Sequence, residues 1–566
     1  MYSEENPDRN AASLVRKQSF VLWRISPMKN ISVSTMPANP NASVPAIQRS
    51  RSMMRTFPFI AVFLCLLIHG VANGQNRSQK HTDVTLNLHN AQLGRQIPQS
   101  FLGFSMEYFQ GGVAQILTPA NGQQERISNL FNNLGRLNGP PMLRLGGNSA
   151  DGAWWDPNGL PNPRGVRYRI TPSLVKNVNG LIRSTGTKLI VGLNLRYPNP
   201  SLAVSWAQAA ISQFGSKNIA AFEIGNEPDL FPHNGARLRS YTFQDYTSDF
   251  NTWLQALKPV FDGRTWAAGP AFSSAKWSAP TFIREEHGSL ALATQHNYAM
   301  NACAPPSRAA KYASIANLLS PQVISPYVDL MRPIVSAASA YDIPVRVDEM
   351  SYMLSCKATA SGNSIRDTFA SALWTADVLF ELANTGVSGV NFQTNPHHSA
   401  GTPATFYVNA DGTVSVAPMY YGMMFFAEAV QNHAHFLSAN YTHHSGNQNV
   451  KIWTTEDDEG NIRIAVINKN LNTSADISVR LPGVIETQQG QPMTDLRRFP
   501  SAHLLRLTAP DARATTGVSL GGQTFDANGL SVGAQTTTQL SGQNGVISFT
   551  VPQASAALLT IPGART

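Results

Sequence analysis

Between about residues 98 and 400, short apolar runs alternate with longer stretches in which apolar residues recur at helical spacing. Nearly continuous apolar runs are typical of parallel strands that helices cover on both faces. Eight runs predict such strands, at residues 101–108, 142–147, 188–195, 219–227, 265–272, 290–298, 345–350 and 387–394. The pattern therefore predicts a parallel sheet whose strands alternate with helices.

Three of the intervening stretches carry clear helix signals. Residues 201–214 place apolar side chains on one helical face. Thr242 is followed three positions later by Asp245, as at a helix start, and another helix is predicted to begin at Ser364. Eight strands alternating with helices predict a (β/α)8 TIM barrel over residues 98–405. An open doubly wound sheet is the alternative, and the absence of a Gly-x-Gly-x-x-Gly sequence after the first strand disfavours it.

The pattern changes after residue 405. Residues 406–408 and 413–416 flank an Asp-Gly pair, which predicts a hairpin, and a helix is predicted over residues 418–431. Short strand-like runs follow, separated by Gly, Asn, Asp and Pro, so residues 406–566 are predicted to form an all-β sandwich domain. Residues 82–97 begin with an alternating run that predicts an extra strand packed on this domain.

The first 74 residues have the features of a processed N-terminal extension. Arg51 and Arg55 precede an apolar run at 57–68, and small residues at Ala72 and Gly74 then predict a secretory signal peptide cleaved after Gly74. The apolar run is shorter than the ~20 residues that span a bilayer, although a signal anchor is the alternative. We therefore expect a secreted, extracellular protein without stable membrane insertion after cleavage.

Charge and sequons fit this expectation. Residues 1–74 carry eight Lys/Arg against three Asp/Glu, so their removal lowers the formal net charge from +9 to +4. A mildly basic protein attracts acidic polysaccharides, but no clustered Lys/Arg stripe indicates a nucleic-acid partner. Glycosylation sequons at Asn76, Asn440 and Asn472 are consistent with a secreted glycoprotein.

Two predicted strands end in glutamates that lie far apart in the sequence. Glu227 closes the fourth predicted strand and is flanked by Asn226 and Pro228, and Glu349 closes the seventh. The carboxyl ends of barrel strands meet at one face, where active sites of this fold lie. Two carboxyls there, one protonated and one ionised, are what hydrolysis of a glycosidic bond requires. The amide of Asn226 is suited to a sugar hydroxyl, and Glu223 is expected to be a paired charge deeper in the barrel.

The surrounding residues resemble the retaining glycosidases of clan A, and in combination they resemble glycoside hydrolase family 79, which includes β-glucuronidases and heparanases. The resemblance covers about residues 82–565. It rests on Gly103-Phe-Ser-Met-Glu-Tyr108, Arg144-Leu-Gly-Gly-Asn148, Glu223-Ile-Gly-Asn-Glu-Pro-Asp229, Gln295-His-Asn-Tyr298 and Asp348-Glu-Met-Ser-Tyr352. It implies a secreted retaining exo-β-glucuronidase that removes terminal glucuronic acid, with or without a 4-O-methyl group, from glycans or glucuronides.

The resemblance also implies a role for each site residue. Glu227 is expected to be the acid/base and Glu349 the nucleophile. Glu107 and Asn148 are expected to bind sugar hydroxyls, whereas Tyr298 and Tyr352 would recognise the sugar carboxylate. Alternatives are another clan A hydrolase that acts on a neutral sugar, similar to a glucosylceramidase or an arabinofuranosidase, and an inactive barrel that only binds glycans.

No cofactor is expected, and the paired histidines at 397–398 and 443–444 do not predict a metal site. His-Glu-x-x-His is absent, and adjacent side chains diverge on a strand. Cys303 follows the sixth predicted strand and Cys356 the seventh, so neighbouring barrel loops are expected to join them in a disulfide.

Overall fold

A computed structural model describes residues 81–109, 111–118, 122–354, 365–396, 402–445, 449–481 and 501–563. Its strands are β1 (His81–Gln96), β2 (Leu102–Glu107), β3 (Met142–Gly146), β4 (Ala153–Trp155), β5 (Tyr168–Ile170), β6 (Leu189–Leu193), β7 (Ile219–Ile224), β8 (Ala267–Phe272), β9 (Leu290–Asn301), β10 (Val345–Leu354), β11 (Gly389–Gln393), β12 (Phe406–Val408), β13 (Val414–Val416), β14 (His435–His443), β15 (Val450–Glu456), β16 (Ile462–Asn468), β17 (Ser474–Arg480), β18 (Ala502–Thr508), β19 (Ser519–Leu520), β20 (Thr524–Phe525), β21 (Ser531–Val532), β22 (Thr538–Leu540), β23 (Val546–Val551) and β24 (Ser555–Ile561). Its α-helices are α1 (Val113–Ile116), α2 (Gln123–Asn138), α3 (Pro172–Thr185), α4 (Pro200–Phe214), α5 (Phe231–Asn234), α6 (Phe243–Phe261), α7 (Ala279–Glu286), α8 (Ile315–Leu318), α9 (Pro321–Ser339), α10 (Phe369–Thr385) and α11 (Pro418–Ala429).

Eight parallel strands close into a barrel in the order β10-β11-β2-β3-β6-β7-β8-β9. These are the eight strands that the apolar runs predict, so the TIM barrel is confirmed. β2 lies between β3 and β11, with Phe104 opposite Leu143 on one side and Phe392 on the other. Because each strand is followed on the chain by at least one helix, the helices cover the barrel and bury its apolar runs.

Two predicted helix starts differ in outcome. α6 begins after Thr242, whose hydroxyl accepts from the backbone N–H of Asp245 while the Asp245 carboxylate accepts from the N–H of Thr242, so the predicted start is confirmed. α10 begins at Phe369 rather than at Ser364. Asp367 has φ +54°, a left-handed conformation that an α-helix does not contain, so the chain cannot be helical through that point.

The barrel also extends further along the chain than the predicted boundary at residue 405. α11 is almost entirely buried and packs between α10 and α2. The hydroxyl of Tyr420 donates to the carbonyl of Leu130 in α2 at 2.6 Å. At Gly422 an added Cβ would come within 2.3 Å of the carbonyl oxygen of Ala372 in α10, so glycine permits the close helix contact. α11 therefore serves as the helix that follows the eighth barrel strand, and the boundary lies after it.

The C-terminal strands form one mixed sheet that follows the order β19-β18-β24-β16-β15-β14-β1-β17-β23, with β22 paired to β18. β1 pairs antiparallel with β14 and parallel with β17, so the predicted N-terminal strand belongs to this sheet. All its long strands contribute to one apolar core, and β23 contacts β24 although they lie far apart in the strand order. The predicted sandwich is thus a single sheet folded over on itself. The alternation of apolar and polar side chains along each strand does not predict that hydrogen bonding runs continuously through the sheet.

Several expectations concern the N-terminal extension and the cysteines. The predicted signal peptide at residues 1–74 and the sequon at Asn76 lie outside the described residues, whereas Asn440 and Asn472 are both exposed. Within the described ranges, no helix combines the length and the apolar character needed to cross a membrane. Cys303 is disulfide-bonded. Its predicted partner, Cys356, lies outside the described residues.

Candidate active site

The two strand-end glutamates reach the same cleft by different backbone routes. β7 ends at Ile224, and the chain then turns through Gly225 (φ +85°) to Glu227 (φ +49°), whose N–H donates to the carbonyl of Ala271 beside β8. A left-handed glutamate is uncommon and costs of order 1 kcal/mol or more, which is tolerated where the surroundings enforce it. Glu349 instead lies within β10, which runs four residues beyond the predicted strand end at residue 350.

The separation of these glutamates decides what chemistry they can perform. One carboxylate oxygen of Glu227, one of Glu349 and a ring nitrogen of His296 all lie within 4.8 Å of one another. Retaining glycosidases hold their carboxyl groups about 5–5.5 Å apart, whereas inverting enzymes leave room for a water at about 6.5–9.5 Å. The short separation fits a nucleophile that attacks the sugar directly.

Glu349 is held in a form suited to nucleophilic attack. Arg144 Nη1 donates to its Oε2 at 2.7 Å, and the hydroxyl of Tyr298 donates to its Oε1 at 2.7 Å. Both donors stabilise the ionised carboxylate. Tyr298, which was expected to recognise a sugar carboxylate, thus contacts Glu349.

The surroundings of Glu227 favour its protonated form. Burial, followed by the negative charge of Asp229, raises the pKa of Glu227 to about 7. Asp229 accepts hydrogen bonds from the N–H and hydroxyl of Ser273 and from the hydroxyl of Ser274. A carboxyl that keeps its proton close to neutral pH can act as a general acid, which is the role that the sequence resemblance implies for Glu227.

His296 supports the acid from the sixth barrel strand. Its Nδ1 lies 3.1 Å from Oε1 of Glu227. Burial lowers the pKa of His296 to about 4, so the ring is neutral at the pH where Glu227 titrates. A neutral ring carries one proton, and placing it on Nδ1 lets His296 donate to Oε1 and leaves the proton of Glu227 on Oε2 for the substrate.

Arg144 is the residue at the centre of the site that the sequence interpretation did not assign. Its fully buried guanidinium contacts Glu223 at 2.5 Å and Glu349 at 2.7 Å, and it donates to Oδ1 of Asn226 at 2.9 Å. The expectation that Glu223 is a paired core charge is confirmed by this contact. The signal available in the sequence was an arginine inside an otherwise apolar strand, where a charge requires buried partners.

The turn after β3 brings a second predicted group to the cleft. Both oxygens of Glu107 accept from this turn, Oε1 from the N–H of Asn148 at 3.0 Å and Oε2 from the N–H and hydroxyl of Ser149. Gly147 (φ +71°) lies so close that an added Cβ would come within 2.4 Å of the Glu107 carboxyl. Glu107 therefore braces the turn, Asn148 is exposed, and the buried Asn226 donates from its Nδ2 to Oδ1 of Asn148.

Tyr352 is not brought into this cluster. It is fully buried, packs edge-on against Trp374 of α10, and its hydroxyl donates to the carbonyl of Ile365 and accepts from the N–H of Asp367. These contacts point to a role in anchoring the chain before α10, and they do not support the predicted contact with a sugar carboxylate.

Two donor sets in the site have the residue types of a metal centre. One consists of Glu223, His296 and Asp348, and the other of Glu227, His296 and Glu349. In the first set Arg144 already supplies a cation in contact with the carboxyls. In the second set an ion would occupy the space between the glutamates, where the reacting carbon of a glycoside must lie.

The loops that surround the cleft are unequally charged. The loops after β3, β6, β7, β8 and β9 (147–171, 194–199, 225–242, 273–278 and 302–314) carry exposed or half-exposed cations that we call the basic rim: Arg164, Arg167, Arg169, Arg196, Arg237, Arg239, Lys276, Arg308 and Lys311. Apart from Glu227, the carboxyls of these loops are buried, namely Asp151, Asp156 and Asp229. The modest net charge of the chain is thus concentrated where a substrate would enter.

Comparisons with known proteins agree with this fold. Residues 452–558 match the family model of the glycosyl hydrolase family 79 C-terminal beta domain. The chain is 24% identical over 545 residues to a protein called beta-glucuronidase from Aspergillus niger, covering 87% of this chain and 96% of that relative.

Two solved structures share the fold. One is a 4-O-alpha-L-rhamnosyl-beta-D-glucuronidase from Fusarium oxysporum in complex with Rha-GlcA, with a TM-score of 0.65, 19% identity, and coverage of 84% of this chain and 100% of that one. The other is a GH51 arabinofuranosidase from Xanthomonas axonopodis pv. citri, with a TM-score of 0.60, 16% identity, and coverage of 85% and 100%. At these identities the likeness establishes the architecture.

Proposed function

Since the family model and the curated relative assign this chain to glycoside hydrolase family 79 and identify it as a glycosidase, we propose that it is a secreted retaining exo-β-glucuronidase. It would remove terminal glucuronic acid, with or without a 4-O-methyl group, from glycans or glucuronides. The observation that carries the mechanism is the pair Glu227 and Glu349, which place carboxylate oxygens within 4.8 Å of each other, with the pKa of Glu227 raised to about 7. The proposed specificity for a uronic acid is supported by the names of the Aspergillus protein, a beta-glucuronidase, and the Fusarium protein, a rhamnosyl-beta-D-glucuronidase.

In the first half-reaction, a carboxylate oxygen of Glu349 attacks the anomeric carbon, and the bond from that carbon to the glycosidic oxygen breaks. Glu227 gives its proton to the departing oxygen, so the leaving group departs as a neutral alcohol. The products are a glycosyl ester on Glu349 and an ionised Glu227. Loss of the negative charge from Glu349 leaves Arg144 paired with Glu223, so the buried guanidinium keeps a counter-ion.

In the second half-reaction, ionised Glu227 accepts a proton from a water molecule as the water oxygen attacks the anomeric carbon. The ester bond breaks, its electron pair returns to Glu349, and Glu227 is protonated again. Two inversions at the same carbon retain the β configuration. His296, neutral throughout, keeps Oε1 of Glu227 fixed in both steps.

The pH dependence follows from the raised pKa of Glu227. The acid form is present below about pH 7 and is lost above it, so kcat/KM for a glycoside with a poor leaving group is expected to fall as pH rises through about 7. A profile measured between about pH 4 and about pH 9 checks this. With a dinitrophenyl leaving group, which departs without protonation, the decline should weaken. Equal profiles for both leaving groups would contradict the assignment of the acid.

The basic rim predicts a preference for acidic glycans over small glucuronides. Glutamine at Arg164, Arg167 and Arg239 is expected to raise KM for an acidic oligosaccharide by about threefold or more, because these cations attract the substrate at long range. Raising the salt concentration from about 0.05 M to about 0.3 M should have a similar effect on the wild type and little effect on the variant. Steady-state kinetics on the oligosaccharide measures both.

The matched control removes the same charge from the opposite end of the barrel. Arg183, Lys188 and Lys217 precede strands β6 and β7 and so lie away from the cleft. Their replacement by glutamine should leave KM unchanged. If both triple variants change KM equally, the rim has no special part in binding.

A panel of aryl glycosides tests the proposed activity itself. Hydrolysis of the aryl β-glucuronide well above that of β-glucoside, β-galactoside and α-arabinofuranoside is the expected result. Cleavage of neutral glycosides alone would favour the neutral-sugar hydrolase, and no cleavage at all would favour a glycan-binding barrel. The isosteric variants Glu227→Gln and Glu349→Gln, prepared in parallel, exclude a contaminating glycosidase.

A further inference from the structure

Beneath the nucleophile, two carboxyls are buried close to each other. Glu223 on β7 and Asp348 on β10 are each at most 1% exposed, and each places a carboxylate oxygen within 4.8 Å of the other and of a ring nitrogen of His296. Among the described residues, no N–H or hydroxyl donor forms a hydrogen bond with either oxygen of Asp348 or with Oε1 of Glu223. Ionised carboxylates only accept hydrogen bonds, so two buried carboxyls this close together and without donors to these oxygens are stabilised when one of them carries a proton.

The charge balance around the pair gives a second reason for a proton. Arg144 is the cation in contact, at 2.5 Å from Glu223, 2.7 Å from Glu349 and 3.3 Å from Asp348. Arg346, two residues before Asp348 on the same strand, is occupied by Oδ1 of Asn391 and by the carbonyls of Ser100 and Phe101. Three ionised carboxylates against one contacting guanidinium would leave two uncompensated negative charges in a buried site, which is costly.

His296 supplies a third reason from the neighbouring strand β9. With the proton of the neutral ring placed on Nδ1 toward Glu227, Nε2 is an unprotonated acceptor, and this atom lies 3.6 Å from Oδ1 of Asp348. An ionised Asp348 would therefore face a lone pair on one side and a carboxylate on the other. Burial, followed by the charge of Glu223, raises the pKa of Asp348 well above its usual range, consistent with this geometry.

We propose that Asp348 is a permanently protonated positioning residue, which shares its proton with Glu223 and so leaves Glu349 beside one buried carboxylate rather than two. The proposal rests on the proposed function in taking Glu349 as the nucleophile. While Glu349 is ionised and Asp348 is neutral, Arg144, Glu223 and Glu349 together carry a net charge of −1. After the ester has formed, the charges of Arg144 and Glu223 cancel. A second ionised neighbour would favour protonation of Glu349 and remove the nucleophile in the mildly acidic range where Glu227 still holds its proton.

Asparagine at position 348 reproduces a neutral acid, because its amide can donate to Glu223 as the shared proton does. Asp348→Asn is expected to keep kcat/KM on the aryl β-glucuronide within about threefold of wild type, with the acidic limb of the pH profile unmoved. Asp348→Ala removes the donor and should lose more than about tenfold. If Asp348 were ionised, Asp348→Asn would remove a negative charge and move the acidic limb to lower pH. That shift, or a loss as large as that of alanine, would overturn the proposal.

Infrared spectroscopy tests the proton without relying on activity. At about pH 9, carboxyls with a pKa of about 7 are mostly ionised, so a remaining carboxylic-acid carbonyl band can be assigned by ¹³C labelling of aspartate and by its loss in Asp348→Asn. Such a band supports the proposal, and its absence from the wild type overturns it even if a variant fails to fold. If the wild type cleaves no glucuronide but shows the band, the proposed function fails while the shared proton stands.

Discussion

Replacing Glu349 by glycine is expected to lower hydrolysis of an aryl β-glucuronide by at least about 10⁴-fold, because the covalent route requires this carboxylate. The glycine also leaves space where the carboxylate was. Azide can enter that space and displace the aryl group in a single inversion, so the product should be the α-glycosyl azide. Product analysis by proton NMR distinguishes this anomer from the β form.

The variant also has to be shown to fold. Arg144 and Tyr298 lose an acceptor in Glu349→Gly, so a thermal unfolding curve should accompany the kinetics. An intact, folded variant that hydrolyses the substrate at a wild-type rate without azide would show that Glu349 is not the nucleophile. A β-azide product would place the missing group on the acid side of the cleft instead.

Replacing Glu227 by alanine is expected to reduce kcat/KM by about 10²–10⁴-fold on a glycoside with a poor leaving group and much less on a dinitrophenyl glycoside. Glu349 still forms the ester when the leaving group needs no proton. Azide then attacks the ester in place of the water that Glu227 would have deprotonated. Two inversions result, so this variant should give the β-glycosyl azide.

The two azide products therefore identify the two glutamates independently. Each single variant serves as the control for the other, because both remove one carboxyl from the same cleft. Equal rate losses with poor and activated leaving groups, together with no rescue by azide, would contradict the role of Glu227. The decline of wild-type activity above about pH 7 should also be absent from Glu227→Ala on the activated substrate.

The barrel and the placement of Glu227 and Glu349 in one cleft could be predicted because the relevant information is local. Each barrel strand is a short, nearly continuous apolar run, and parallel strands all end at one face. A glutamate at such an end is therefore placed in the cleft whatever the details of packing. The left-handed turn at Glu227 and the extension of β10 beyond Glu349 change the backbone route but not the outcome.

The network beneath the nucleophile could not be predicted in the same way. Arg144, Glu223, His296 and Asp348 come from four strands, and their pairing depends on the height of each side chain within the barrel. Tyr298 and Tyr352 illustrate the same limit, since both lie near the carboxyl ends of barrel strands, β9 and β10. One contacts Glu349, and the other faces α10 and packs on Trp374.

The net charge of the chain likewise did not predict where its charged side chains lie. A formal charge of +4 after residue 74 gives no sign that the cations gather in the loops after β3, β6, β7, β8 and β9. The exposed acids lie elsewhere. Apart from Glu227, the acids of those loops are buried, as Asp229 is where it accepts a hydrogen bond from Ser273. An excess of positive charge on one face of the barrel can be recognised only once the fold shows which loops share that face.

The central claim is that Glu349 forms a covalent bond to a glucuronyl unit. Incubation of the protein with an activated 2-deoxy-2-fluoro β-glucuronide, whose fluorine slows the second half-reaction, should add one fluoroglucuronyl mass to the intact chain. Peptide mapping should place that mass on Glu349, and Glu349→Gln should remain unlabelled. A label on another residue, or sustained turnover of the unfluorinated glucuronide without any trapped ester, would contradict the account.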